Sequence, residues 1–468
     1  MFAHIKTSRD GVRLGAIKNE NIQVNTPMFS MIYNFGGGGS DVYRISSYLD
    51  LFKDIPIMMM NWYYLSGGGT FKVKWVEHLR NFNDIFDFLK SMQEEFLREG
   101  MVKKDYIRSQ IQWRPLMMID SGSGNIIRDL AERSFNHSEI MERFVDMISD
   151  YVQFSLNLSF DIMIALDFSR KYTYKKGESG SEYYQRVSKE LASDIESNVK
   201  LLGQFLILLK NFKNRENLPM IFAPLRGIEA KQYVLCLKKI IELEKKIGQK
   251  FDGFAVAGLG EYRGKESGIF LAKVTRAIRE HLDKLNDNRP LHALGVGGIQ
   301  KIIPLVLGGV DTFDCMTPWR RATDGSMEDA HNVFNVNAKG SFSKYLIPML
   351  GSSLEVIEEN TKNVWKYVEL PRISNDVSCD CQVCRKYQIK EIKELYSHGN
   401  EDYYFARILL FIHALLQHIY LCKRIVKDVE ENIPISHLIN EMRDRKLKNH
   451  FLTILNSLKS TSLTNFSL

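Results

Sequence analysis

Three aspartates are carried on short apolar runs: Asp120 closes Pro115–Asp120, Asp167 closes Ile162–Asp167, and Asp314 lies within Thr312–Met316. A carboxylate held this way can act as a nucleophile, as a general acid/base or as an acceptor for N–H groups. It can equally cap a helix, so one such aspartate says little, whereas three at equivalent positions point to a site. Asn61 ends a fourth run, Ile55–Asn61. A second cluster has different chemistry. Cys379, Cys381 and Cys384 form C-x-C-x2-C, and thiolates from one tight turn can fill three corners of a tetrahedron. His398, His413, His418 and Cys422 are the downstream candidates for the fourth. Four protein ligands make a closed, structural site, and a histidine among them favours zinc over an iron–sulfur cluster.

The elements that would position these groups are legible as short apolar runs alternating with longer helical patterns. Eight strands are expected: Thr26–Tyr33, Ile55–Asn61, Pro115–Asp120, Ile162–Asp167, Pro219–Pro224, Gly253–Gly258, Leu291–Val296 and Thr312–Met316. They are apolar nearly throughout, as strands covered on both faces must be. Apolar residues at helical spacing occupy Phe82–Leu97, Ser138–Phe154, Tyr183–Leu209, Ala230–Ile247 and Gly268–Leu285. Eight β/α alternations favour a (β/α)8 TIM barrel, and the aspartates then share the C-terminal rim where such barrels build their sites.

Pro318 to Ser343 reads as loop, and Asp402–Val429 as one long helix. Gly36–Gly39 and Gly67–Gly69 read as flexible loops over the barrel mouth. The expected organisation is a barrel over residues 1–325, a zinc-binding subdomain with a closing helix over 326–440, and a polar tail over 441–468, partly disordered from Lys446. Gly295–Gly298 could cradle a phosphate.

The composition is that of a globular chain: 44% hydrophobic, 25% charged, net charge +7 over 468 residues. The mild basic excess is compatible with a polyanionic partner. Six cysteines, three of them crowded together, make no disulfide framework and suggest a reducing compartment. The start, MFAHIKTSRDG, lacks the apolar region of a signal peptide. Ile408 to Cys422 is too short and too polar to span a bilayer. The expectation is a soluble cytoplasmic protein with no membrane partner.

Several motifs then coincide in order with one family. Asn61-Trp62-Tyr63-Tyr64-Leu65 is similar to N-T-Y-H-L, and Asp120-Ser121-Gly122-Ser123-Gly124 to D-S-G-G. Ala255-Val256-Ala257-Gly258-Leu259, followed by Gly260-Glu261, is similar to A-V-G-G-L with Gly-Glu after it. Leu294-Gly295-Val296-Gly297 is similar to M-G-V-G, and Gly309 to Cys315 to G-V-D-M-F-D-C. Pro318 to Gly325 is similar to P-T-R-x-A-R-x-G, and C-x-C-x2-C before a helix carrying histidine to a zinc site. On these motifs the chain resembles the tRNA-guanine transglycosylase superfamily from near residue 3 to about residue 425.

The resemblance implies a zinc-containing (β/α)8 barrel that exchanges a guanine-type base in a nucleic acid. It implies Asp314 as the nucleophile attacking the anomeric carbon, and Asp120 as the acid/base that protonates the departing purine and deprotonates the incoming one. Asp167 would accept from the purine N–H edge. Ser121, Gly258, Leu259, Leu294 and Arg226 would complete the base site, and Arg320 would meet flanking nucleotides. His413 would be the fourth zinc ligand. The target base must leave its stack, so flipping is implied.

Three departures accompany the resemblance. Gly124 and Asn125 stand where the family stacks an aromatic on the base, leaving Trp62 and Tyr63 as candidates. Arg226-Gly227 replaces Q-G, and Thr323 replaces the second arginine. They resemble the DpdA branch, which inserts 7-cyano-7-deazaguanine (preQ0) into DNA, so duplex DNA is the expected partner and tRNA the alternative. Lys210–Arg215, Lys238–Lys250 and Arg443–Lys448 are basic segments that could hold its backbone. A homodimer and partner proteins are compatible with the family, and so is a non-catalytic nucleic-acid-binding subunit.

Overall fold

Backbone pairing joins eight strands into a closed barrel in which every neighbouring pair is parallel. The computed structural model describes residues 1–33, 42–68, 73–170, 172, 180–212, 218–259, 267–323, 326–328, 343–345, 379, 381–398, 400–442 and 445–460. In chain order the first three strands are β1 (Phe2–Thr7), β2 (Arg13–Lys18) and β3 (Gln23–Thr26). The barrel follows as β4 (Met28–Ile32), β5 (Ile57–Asn61), β6 (Leu116–Asp120), β7 (Ile162–Ile164), β8 (Met220–Leu225), β9 (Gly253–Val256), β10 (Leu291–Ala293) and β11 (Thr312–Asp314). All eight expected strands are therefore present, several of them shorter at the C-terminal end. β10 stops at Ala293 because Gly295 turns the chain with φ +71°, and a turn at Gly258 with φ +82° follows β9.

The strands are almost wholly buried because crossover helices cover them. The five expected helices appear as Ile85–Arg98, His137–Asn157, Gly180–Lys210, Ala230–Ile247 and Ser267–Lys284. The helix Asn400–Glu430 packs on β4, on the helical segment Val42–Phe52 and on the helix Ile299–Leu307, closing the ring between β11 and β4. Its window within Glu401–Glu430 is apolar enough by composition to cross a bilayer, but 89% of it is buried in this molecule. The helix is a core element, longer and more apolar than the run Ile408–Cys422 suggested.

The antiparallel sheet β1–β2–β3 was not expected from sequence. It lies at the N-terminal ends of the barrel strands. Asn19 Nδ2 donates to Asp161 Oδ1 at 2.8 Å, just before β7. Arg13 of β2 reaches the carboxylate of Asp311, just before β11, at 3.4 Å. Asp311 also pairs with Arg279 at 3.2 Å and accepts from Leu291 N at 2.8 Å. It is fully buried and structural.

The polar tail is a correction. Arg445–Ser460 is a helix packed against Ser267–Lys284, with Phe451, Ile454 and Leu455 buried at helical spacing while its polar residues face outward. The loop expected over Pro318 to Ser343 contains a helix, Thr317–Thr323, and a strand, Ser326–Glu328, paired with Ser343–Tyr345. The glycine run Gly36–Gly39, the residues Gly69, Gly260, Glu261, Asp324 and Gly325, and parts of two basic segments (213–215 and 443–444) lie outside the described residues.

Candidate active site and metal cluster

The C-terminal ends of β5, β6 and β7 and the turns after β8, β9 and β10 surround a cleft of about 550 Å³ lined by Asn61, Asp120, Asp167, Arg226, Gly258 and Leu294, among others. Register explains part of this: Asn61 and Asp120 are direct partners across β5 and β6. Asn61 Nδ2 donates to Asp120 Oδ2 at 2.8 Å, and Gly122 N donates to the same oxygen at 3.2 Å. Burial pushes the Asp120 carboxyl up to about 7, and the negative charges of Asp167 and Asp314 add to the rise. A carboxyl poised there can both give and take a proton near neutral pH.

The sign of that shift has a consequence for stability. Between the ordinary carboxylate range and about pH 7, the folded chain holds a proton on Asp120 that the unfolded chain has lost. Stability from this group is therefore full at low pH and declines as pH rises through that window. Asp120→Asn, which keeps an acceptor for Asn61, is expected to raise the melting temperature relative to the parent at pH 8 and to confer no gain near pH 4. An equal change at both pH values would contradict the assignment.

Gly122 holds φ +72°, and a Cβ there would lie 2.3 Å from Asn61 Oδ1. Gly122→Ala must displace Asn61 and with it the contact to Asp120. The expected result is a roughly 10²-fold loss of the site's activity, with a melting temperature that falls only a few degrees. Unchanged turnover would show that the Asn61–Asp120 contact is dispensable.

Asp167 lies just beyond β7 and is 7% exposed. Burial raises its carboxyl, while the Arg226 guanidinium, 4.0 Å away, opposes the rise. Arg226 is held by Ser169 Oγ at 2.8 Å and the Arg170 carbonyl at 3.2 Å. Asp314 ends β11 and is 1% exposed. Its Oδ1 accepts from His292 Nε2 and from Gly295 N, each at 2.9 Å. His292 Nδ1 in turn lies 2.9 Å from Thr312 Oγ1.

Not every expected site residue meets the cleft. Ser121 is fully buried, with its Oγ 2.7 Å from Ser123 Oγ, so Ser123 rather than Ser121 reaches the lining. Leu259 is also fully buried and outside the lining. Arg320 is exposed on the helix Thr317–Thr323, away from the lining. Trp62 packs on Tyr151 with ring centroids 5.0 Å apart, and Tyr63 hydrogen-bonds Asp129; neither lines the cleft. Sequence reasoning missed His292, Ser123, Ser169 and Arg170.

Where they are described, two basic segments sit beside the starts of the barrel strands. Lys210 Nζ donates to the Ile247 carbonyl at 2.9 Å, and Lys245 and Lys250 line a groove with Met1, Asp252 and Pro290, beside the starts of β9 and β10. These three lysines lie at the end of the barrel opposite the carboxylates.

Cys379, Cys381, Cys384 and His413 bring their ligand atoms within 4.8 Å of one another. His413 Nδ1 lies 3.4 Å from Cys381 Sγ and 3.3 Å from Cys384 Sγ. Backbone N–H groups of Cys381 and Cys384 donate to Cys379 and Cys381 sulfurs at 3.4 Å, and Gln417 Nε2 donates to Cys379 Sγ at 3.0 Å. Such outer hydrogen bonds are what orient a thiolate set. The four residues could hold a metal ion. Of the other candidates, His418 points to the Ala414 carbonyl, His398 is exposed beside Asp402, and Cys422 is buried outside the group.

Comparison with known proteins is consistent with this arrangement. Residues 87–446 match the family model described as queuine tRNA-ribosyltransferase (TGT). The chain is 28% identical over 199 residues to the queuine tRNA-ribosyltransferase of Thermosipho africanus, covering 42% of this chain and 43% of that one. It is 22% identical over 285 residues to that of Hamiltonella defensa (59% and 62%) and 24% identical over 271 residues to that of Aquifex aeolicus (58% and 57%). The alignments thus span between 43% and 62% of the length of these curated relatives.

Proposed function

We propose, because the chain belongs to the queuine tRNA-ribosyltransferase (TGT) family, that it is a base-exchange transglycosylase acting on guanine in a nucleic acid. The observation that carries this reading is the convergence of Asp120, Asp167 and Asp314 at one barrel rim, with the Asp120 carboxyl lifted to about 7. Asp314 would attack C1′ of the target nucleotide, forming an ester as the C1′–N9 bond breaks. Asp120 would protonate the leaving purine and later take the proton of the incoming base. Asp167, balanced by Arg226, would accept from the purine N–H edge, and Gly258 and Leu294 would line the base pocket. The ion in the cysteine cluster would be zinc, held by Cys379, Cys381, Cys384 and His413 in a structural role.

The finer reading is that the nucleic acid is DNA and the inserted base a 7-deazaguanine such as preQ0. Its support is in two replaced positions. Arg226 offers only donors, anchored beside Asp167, where a glutamine would offer both a donor and an acceptor. Thr323 is committed within the protein: its Oγ1 accepts from Arg407 at 3.0 Å and donates to the Trp319 carbonyl at 3.0 Å. The second reading, a tRNA substrate, is favoured by the names of the relatives. Labelled guanine or preQ0 supplied with duplex DNA or with unmodified tRNA separates them. Label in DNA supports the first reading, label in tRNA alone replaces it with the second, and label in neither argues for a non-catalytic subunit.

A further inference from the structure

The environment of Asp314 is asymmetric. Oδ1 receives two donors at 2.9 Å, His292 Nε2 and Gly295 N, whereas among the described residues no hydrogen bond engages Oδ2. An attacking carboxylate only accepts, so Nε2 is the donor to Oδ1, while Nδ1 lies 2.9 Å from the Thr312 hydroxyl, a group that can donate or accept. His292 and Thr312 are both fully buried and are direct partners across β10 and β11. The orientation of the ring is therefore set by the barrel itself.

We propose that His292 is a positioning residue that assigns different tasks to the two oxygens of Asp314: Oδ2 forms the bond to C1′, and Oδ1 is held as the future ester carbonyl. The inference rests on the base-exchange reading. In the first half-reaction the Oδ2–C1′ bond forms as the C1′–N9 bond breaks, and the purine leaves with a proton from Asp120. In the second, the incoming base attacks C1′, the Oδ2–C1′ electron pair returns to the carboxylate, and the base's proton passes to Asp120. His292 keeps its own proton throughout. Its N–H stabilises charge returning to Oδ1, so it favours departure of the carboxylate more than its attack. Removing it slows the second half more than the first, and the covalent adduct accumulates.

The experiment measures exchange of labelled guanine and the fraction of chain carried as a denaturation-resistant polynucleotide adduct, with duplex DNA and unmodified tRNA in parallel. His292→Phe is expected to lower kcat about 10²-fold, the scale for one preorganised donor, with KM little changed and a larger adduct fraction. His292→Gln, which places a donor near the Nε2 position, is expected to recover to within about 10-fold of the parent. The assignment is overturned if the Phe variant turns over like the parent, if adduct and turnover fall in equal proportion, or if Gln recovers nothing. A parent that exchanges base into neither polynucleotide overturns the base-exchange reading itself, and this assignment with it.

Discussion

Asp314→Asn is expected to abolish base exchange, with a loss of at least about 10³-fold, the scale seen when a nucleophile is removed. The substitution is nearly isosteric. The asparagine oxygen can still accept from His292 and Gly295, the two donors now at 2.9 Å, so the rim keeps its shape. What is lost is the anion that must attack C1′. No polynucleotide adduct should survive denaturation, while the melting temperature should stay close to that of the parent. Turnover within tenfold of the parent would remove Asp314 from the nucleophile role and return the choice to Asp120 or Asp167.

His413→Ala is expected to produce the second large effect, on metal content and stability rather than on chemistry. His413 is fully buried in the helix Asn400–Glu430, which also closes the barrel against β4. The tight loop is tied back as well, since Gln382 Nε2 donates to the Leu51 carbonyl at 2.6 Å. A metal held by these four residues would therefore staple the loop to the element that completes the ring. Its loss should take the bound ion from about one per chain to none and lower the melting temperature on the order of 5–10 °C. His398→Ala, at an exposed position beside Asp402, should keep the ion. Full metal content in the His413 variant would exclude this ligand set.

The eight barrel strands, the aspartates and the cysteine cluster were legible because each has a local signature. An apolar run, a carboxylate at its end and a spacing of one and two residues can all be read without knowing the fold. His292 has no such signature. It is one polar residue in an apolar strand, and its meaning comes from register with Thr312, twenty positions away, and from contact with Asp314. The sheet β1–β2–β3 escaped because β1 alternates between half-buried and exposed residues and covers a barrel end rather than a core. That Ser123 rather than Ser121 lines the cleft was not legible, because it depends on the turn between them at Gly122, which is in the left-handed region. The misplaced basic segments could have been found from topology alone. Crossover helices run against the strands, so lysines at a helix C-terminus arrive beside strand N-termini, the end opposite the carboxylates.

Asp311, just before β11, and Asp314, at its end, stand three positions apart, yet their surroundings give them different work. Asp311 locks the floor through Arg13, Arg279 and the Leu291 amide, and Asp314 sits at the C-terminal end of that strand. A survey that scores only lost activity would count both as indispensable and join them in one motif. Scored by soluble yield, the pair would split, with Asp311 variants failing to accumulate and Asp314 variants accumulating as inert protein. A barrel so divided can have its mouth altered without loosening its floor, and relatives with different targets are expected to differ at the rim before they differ beneath it.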